Sequence, residues 1–343
     1  MKAVIDKFLL FIVLMVAPNV AFASVDQEPS KLVQPPYLQK GDTVMIIAPA
    51  GIMKDTVKVE NGIEMLQDWG LQVKLGKHLF EQNFHFAGSD KQRAEDFQYA
   101  IDDPTVKAIW CARGGYGSVR IIDSIDFTKF KQHPKWLIGF SDITVFHNEI
   151  NKLGIETMHA LMPITYKPGN KEQKKAKKSL KKALFGKKIT YRISDSDYNK
   201  EGQAEGQVVG GNLSLLYSLL GTKSSISLDN KILFIEDVGE YLYHIDRMLI
   251  SLRRNGYFDN CKGLIVGGIS DVRENETPFG KTAEEVVLDA IKEFDFPVSF
   301  DFPAGHIRDN RTLILGRTIN LNVKDNKTVV KFLYDGSSER VEK

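Results

Sequence analysis

Cysteine is scarce in this chain: two residues in 343, Cys111 and Cys261. With no Cys cluster and no His-x-x-x-His pair, nothing points to a zinc centre, and no metal or other cofactor is expected. Both cysteines sit beside apolar, strand-like runs and read as buried free thiols. An oxidising compartment permits a disulfide, but the sequence does not show that they meet. An excess of one charge is also missing. The formal net charge is +2, so no global attraction to nucleic acid or membrane follows. There is no internal repeat.

Long apolar runs are missing as well, apart from residues 8–17. Lys2 and Lys7 precede that run, and Pro18 and Ala21-Phe-Ala23 follow it before Ser24. A charged start, a short apolar middle and a small-x-small end describe a secretory signal peptide over residues 1–23, cleaved after Ala23. The other reading is an uncleaved anchor, but the run falls short of the roughly 20 residues that span a bilayer. No cysteine follows it, which argues against a lipoprotein anchor. The mature chain is expected to be exported, periplasmic or otherwise, without a stable membrane span.

What the sequence does contain is alternation. Residues 43–51 read as a buried strand ending in a turn, 57–70 as a helix stopped by Gly70, 71–75 as a short strand, 90–101 as a helix and 106–111 as a strand. The turn Arg113-Gly-Gly-Tyr-Gly117 leads into a helix, and strand 136–140 leads into another. The length suggests two domains. Strands alternating with helices predict an α/β fold: an N-terminal parallel-sheet α/β domain, residues 37–164, and a smaller C-terminal α/β domain, residues 206–335. Between them, 165–205 reads as a Lys-rich linker, with nine lysines in 171–188. It lacks the aromatics and arginines of a nucleic-acid patch, and it reads as a solvated helix. Contact with an anionic envelope polymer is an intermediate possibility.

In parallel sheets, sites lie at the carboxyl ends of strands, where Gly51, Gly114 and Ser141 all fall. Ser141 follows the apolar run Trp136-Leu-Ile-Gly-Phe140 and opens a helix. A serine so displayed is either a nucleophile facing backbone N–H donors or a plain helix N-cap. A nucleophile needs a base and an orienting carboxylate. Of the seven histidines, most read as loop or helix-surface residues. His306 stands out after Gly305 at the end of a short apolar run. It is either a base or a structural histidine. Glu236 ends the buried run Ile232-Leu-Phe-Ile235, where a carboxylate needs a partner. That partner is a histidine, or Arg247, or a helix start. The turn at Gly114 and Gly115 is either a cradle of N–H groups for an oxyanion or carboxylate, or simply a tight turn. It does not fit Gly-x-Gly-x-x-Gly, so a dinucleotide site is poorly supported.

Five stretches occur in a telling order: Ile46-Ile-Ala-Pro-Ala-Gly51; Arg93-Ala94 with Arg113-Gly-Gly-Tyr-Gly117; Gly139-Phe-Ser-Asp142; Phe234-Ile-Glu-Asp-Val-Gly-Glu240 with Ile245-Asp-Arg-Met-Leu249; and Gly305-His306. Together they resemble the LD-carboxypeptidases, the serine peptidases of the murein tetrapeptide carboxypeptidase and microcin-immunity group. The resemblance implies a two-domain α/β fold with the site in the cleft between domains, often as a homodimer. It implies a triad of Ser141, Glu236 and His306, with oxyanion donors from Asp142, Gly114 and Gly115. It also implies removal of the terminal D-alanine from a murein tetrapeptide or muropeptide, without a metal. A carboxypeptidase must hold a free carboxylate, for which Arg113 and Arg247 are nominated, with Asn212 lining the cleft. One departure is local: Met158-His-Ala-Leu-Met162 stands where the family more often has His-Gly-Pro. Two other readings remain: a self-immunity peptidase acting on an aminoacyl-nucleotide antibiotic, and an exported wall-peptide binding protein whose triad residues lie apart.

Overall fold

The computed structural model describes residues 32–334; the expected signal peptide, 1–23, lies outside the described residues. The first half runs β1 (Thr43–Ile47), α1 (Thr56–Gln67), β2 (Gln72–Leu75), α2 (Asp90–Asp102), β3 (Val106–Cys111), α3 (Ser118–Ile121), α4 (Thr128–Gln132), β4 (Trp136–Gly139), α5 (Thr144–Lys152) and β5 (Thr157–His159). Strands β1 and β4 are buried at every residue, and β3 at all but one, as strands covered on both faces are. Side chains start the first two long helices. Asp55 accepts from Lys58 N, and Ser89 forms a capping box with Gln92.

The second half runs α6 (Lys174–Leu184), β6 (Thr190–Ser194), β7 (Gly202–Asn212), α7 (Leu213–Ser218), β8 (Lys231–Val238), α8 (Leu242–Arg254), β9 (Gly263–Ser270), α9 (Ala283–Ile291), β10 (Val298–Ser299), β11 (Leu313–Leu315), β12 (Thr318–Lys324) and β13 (Lys327–Phe332). The first sheet has the order β11-β5-β4-β3-β1-β2, parallel except for β11. The second has the order β10-β9-β8-β7-β12-β13-β6. Its β7–β10 side is parallel, and its β12, β13 and β6 side is antiparallel. On that second side buried and open residues alternate, as they do when one face meets solvent. One apolar core joins Trp110 and Ile138 of the first sheet to Phe234 and Phe302 of the second half.

Two segments cross the halves read from sequence. The stretch 165–205 is more than a linker: Tyr191 and Ile193 of β6 alternate inward, and β6 pairs with β13. β11 lies late in the chain, yet it pairs with β5 at the edge of the first sheet. Its three residues are wholly buried, a pattern that names no particular sheet. Both cysteines are buried and unpaired, Cys111 in β3 and Cys261 just before β9. Among the described residues, no helix is long and apolar enough to cross a membrane.

A candidate active site between the two sheets

Ser141 stands just past the end of β4 with φ +64°, a left-handed backbone that a non-glycine residue adopts at a cost. The turn is held tightly. Ile143 N donates to Phe140 O at 3.3 Å, and a side chain on Gly139 would meet Ile143 at 2.9 Å. The Ser141 hydroxyl caps no helix, so the N-cap reading gives way. Instead Ser141 Oγ–H donates to His306 Nε2 at 3.1 Å, and His306 Nδ1–H donates to Glu236 Oε2 at 2.7 Å. Because a carboxylate only accepts, it fixes the proton on Nδ1 and leaves Nε2 to receive the serine proton.

The glycine turn lies directly against the nucleophile. A Cβ on Gly114 would sit 3.2 Å from Ser141 Oγ and 3.2 Å from the Asp142 nitrogen. The missing side chain therefore leaves open the space between hydroxyl and amide where an oxyanion fits. Gly115 has φ +101° and packs on Gly51, whose N–H donates to Gly114 O at 2.9 Å. Asp142 clamps the turn from the other side, its buried carboxylate accepting from Ser118 N at 2.8 Å.

Glu236 is fully buried on β8, where the register with β9 shifts between Ile235 and Asp237. Such a bulge re-aims a side chain. Gly305 lies over it: any Cβ there would fall 2.7 Å from Glu236 Cβ. Burial alone would raise the Glu236 pKa, but the imidazoles of His159 and His306 outweigh it and hold the carboxyl below its usual range. Burial works against a charged His306; the hydrogen bond and charge of Glu236, with Asp237 and Asp271, outweigh it and raise that pKa. Burial and the neighbouring Glu236 charge push Asp237 up to about 6.

The nominated ligands fare differently. Arg113 donates through Nη1 to Ile52 O at 2.8 Å, beside the Gly51–Gly114 contact. Asn212 is buried. It caps α7, and its Nδ2 donates to Asp237 at 3.0 Å, so it braces the site from inside. Arg247 is exposed on α8 over the Tyr243 ring, 5.2 Å from its centroid. Among the described residues, its guanidinium forms no ion pair with Glu236.

Several supports were not legible in sequence. His159, which the sequence did not set apart as His306 was, is fully buried, with Nε2 4.0 Å from Glu236 Oε1. His147 is also buried and donates through Nε2 to Gly139 O at 3.0 Å; burial pushes its pKa down to about 3. Thr144 Oγ1 accepts from Asn212 N at 3.0 Å, fastening the nucleophile's helix to β7. Arg93, by contrast, belongs to the Arg93-Ala94 pair already noted in the sequence; it is buried and donates to Pro49 O and Gly117 O at 2.7 and 2.9 Å. Among the described residues, no group of three or more His, Cys, Asp or Glu side chains is placed to hold a metal.

Residues 44–160 match the LD-carboxypeptidase N-terminal domain and residues 205–321 the LD-carboxypeptidase C-terminal domain. The chain belongs to the LD-carboxypeptidase family. It is 36% identical to a probable murein peptide carboxypeptidase of Bacillus subtilis, over 87% of this chain and 94% of that one. It is 28% identical to the murein tetrapeptide carboxypeptidase of Pseudomonas aeruginosa, over 80% and 91%. To the microcin C7 self-immunity protein MccF of Escherichia coli it is 27% identical, over 85% and 93%. The solved muramoyltetrapeptide carboxypeptidase of Oxalobacter formigenes superposes with a TM-score of 0.77 at 26% identity, covering 84% of this chain and 98% of that one. This LD-carboxypeptidase is accordingly a serine peptidase with the two-domain α/β fold of its family. The binding-protein reading required the serine and histidine to lie apart, and here they are in hydrogen-bond contact.

Proposed function

We propose that this carboxypeptidase removes the terminal D-alanine from murein tetrapeptides, with Ser141 as nucleophile, His306 as base and then acid, and Glu236 as the orienting carboxylate. The observation that carries the reading is the chain Ser141 Oγ–His306–Glu236 at 3.1 and 2.7 Å. Ser141 Oγ attacks the carbonyl at the L-centre of the third stem residue as its proton passes to His306 Nε2. The oxyanion forms beside the N–H groups of Asp142, Gly114 and Gly115. His306 then returns the proton to the departing D-alanine amine. Water, deprotonated at the same nitrogen, releases the acyl group from Ser141. The Nε–Nη2 edge of Arg113 is left to grip the terminal carboxylate as a fork. The signal peptide expected at residues 1–23 directs this activity to intact wall or shed muropeptide.

The test is mass spectrometry of muropeptides before and after incubation with the purified protein. Tetrapeptides should lose one alanine, and pentapeptides should stay untouched. Ser141→Ala should keep the melting temperature and release none. Undiminished release by that variant overturns the triad. A second reading, hydrolysis of an aminoacyl-nucleotide as in self-immunity, draws on Tyr116. This half-exposed ring follows Gly115 and leans on His85 and Phe86, a surface on which a base can stack. Cleavage of such a nucleotide with no action on tetrapeptides would select it.

A further inference from the structure

The proposed chemistry makes no use of the lysine-rich stretch, yet the fold builds it in beside the site. Helix α6 buries Ala176, Ser179, Leu180, Ala183 and Leu184, and its sequence carries six lysines on the remaining faces. Five of them are exposed and Lys177 is half-buried. Lys177 donates to the Tyr166 hydroxyl at 3.2 Å, and Lys181 lies over the Trp69 ring. Among the described residues, no acidic side chain pairs with Lys174, Lys175, Lys178 or Lys182, and Glu172 pairs with Arg308 at 2.6 Å instead. Like charges three and four apart on a helix repel. The first turn holds lysines and no acid, against the helix dipole. A polyanion would relieve both costs.

The ridge has shape as well as charge. Lys175, Lys178 and Lys182 wall a cavity of about 150 Å³ with Thr190, Tyr191 and Arg311, room for one anionic group. Arg311 is already neutralised by Asp309 at 2.7 Å, so the cavity carries the charge of the three lysines. It borders the loop of His306: Thr312 N donates to Ser179 Oγ of α6 at 3.0 Å, and Arg308 reaches Glu172.

We propose that this ridge docks the carboxylates of polymeric murein and retains the enzyme on the wall while the cleft works on single stems. The proposal rests on the murein reading given above. Each stem offers a terminal carboxylate and side-chain carboxylates. Lysines on flexible stems suit such a repeating array, which has no fixed geometry. The stretch has no interleaved aromatics for nucleic-acid bases, and the apolar face of α6 is buried, leaving nothing to enter lipid.

The experiment compares the protein with a Lys175→Glu, Lys178→Glu, Lys182→Glu variant in cosedimentation with purified murein sacculi. Hydrolysis of a soluble disaccharide tetrapeptide is measured in parallel. The parent should sediment at low salt and be released by high salt. The variant should bind about a hundredfold more weakly, as expected for three lysines facing an anionic surface. Its soluble hydrolysis should be unchanged. Amidating the carboxylates of the sacculi should abolish binding by the parent. Equal sedimentation of parent and variant overturns the proposal, as does binding that survives amidation or follows wall phosphate instead. The triple Lys→Gln variant serves if the charge reversal fails to fold. Absence of tetrapeptide hydrolysis in the parent counts against the murein reading, while the sedimentation comparison still reports on the ridge.

Discussion

His159 Nε2 lies 4.0 Å from Glu236 Oε1, the carboxylate oxygen that His306 does not use. Both groups are fully buried, and among the described residues neither His159 nitrogen nor Glu236 Oε1 has a hydrogen-bond partner. His159 belongs to β5 of the first sheet and Glu236 to β8 of the second. The half that carries the nucleophile therefore also presents a donor to the other half's carboxylate. A small approach closes the gap to a hydrogen bond. The rings of Phe140 and Phe234 already fix the plane of His159.

Removing that donor tests the relationship. His159→Leu should lower kcat by about tenfold, the lower end of what is lost when a group orienting a catalytic ligand is removed, with KM little changed. His159→Gln keeps an N–H and should recover most of the loss. The acid limb of the kcat/KM profile should move to higher pH in the leucine variant, because an undiminished Glu236 charge stabilises the His306 imidazolium. A purely structural role leaves that limb in place.

The pH dependence of the parent follows from His306. Its pKa is raised, since the charge and hydrogen bond of Glu236 outweigh burial, and only the neutral ring can take the serine proton. Activity should therefore be lost as pH falls through a value above that of an ordinary histidine. Glu236→Gln removes the negative charge that holds the proton on His306. The acid limb should shift to lower pH, while kcat drops by about 10⁴, as when the orienting carboxylate of a serine triad is neutralised. Steady-state kinetics between pH 5 and 9 give both quantities.

Gly114→Ala separates the oxyanion space from the fold. The backbone at Gly114 is not left-handed, so alanine is conformationally acceptable. Its Cβ would crowd Ser141 Oγ and the Asp142 nitrogen, each at 3.2 Å. The expected loss is about 10² to 10³ in kcat, the cost of one oxyanion donor, with a melting temperature close to that of the parent. An active Gly114→Ala would place the oxyanion elsewhere.

Alternation of period, glycine turns and buried runs made β1, β3, β4 and β8 legible, along with Ser141, Glu236 and His306 at or beyond strand ends. Each is a local signal. Sheet membership depends on distant pairing, so β6 and β11 were not assignable: a short buried triplet such as Leu313–Leu315 fits either sheet. The supports of the site were hidden for the same reason. His147, His159 and Thr144 act through contacts with Gly139, Glu236 and Asn212 that no spacing encodes. Asn212 shows the converse: it was legible as a residue of the site, but its inward role as cap of α7 and partner of Asp237 was not.

The two halves also meet closely at Gly211. Its φ is +142°, and a Cβ there would fall 2.4 Å from Thr144 Oγ1, the atom that receives Asn212 N–H. Gly211→Ala should cost about 2 kcal/mol or more, combining backbone strain with overpacking. It should also lower kcat/KM, because pushing α5 away from β7 separates Ser141 from His306. Thr144→Ala alone loses one hydrogen bond, about 1 kcal/mol. In the double variant the colliding oxygen is gone, so its destabilisation should fall short of the sum, a coupling readable by a denaturation cycle. The strain at φ +142° persists in the double variant, so recovery should be partial. Strict additivity would mean that the strand end and the nucleophile's helix do not constrain each other, and the dependence of Ser141 on the second sheet would then rest on His306 alone.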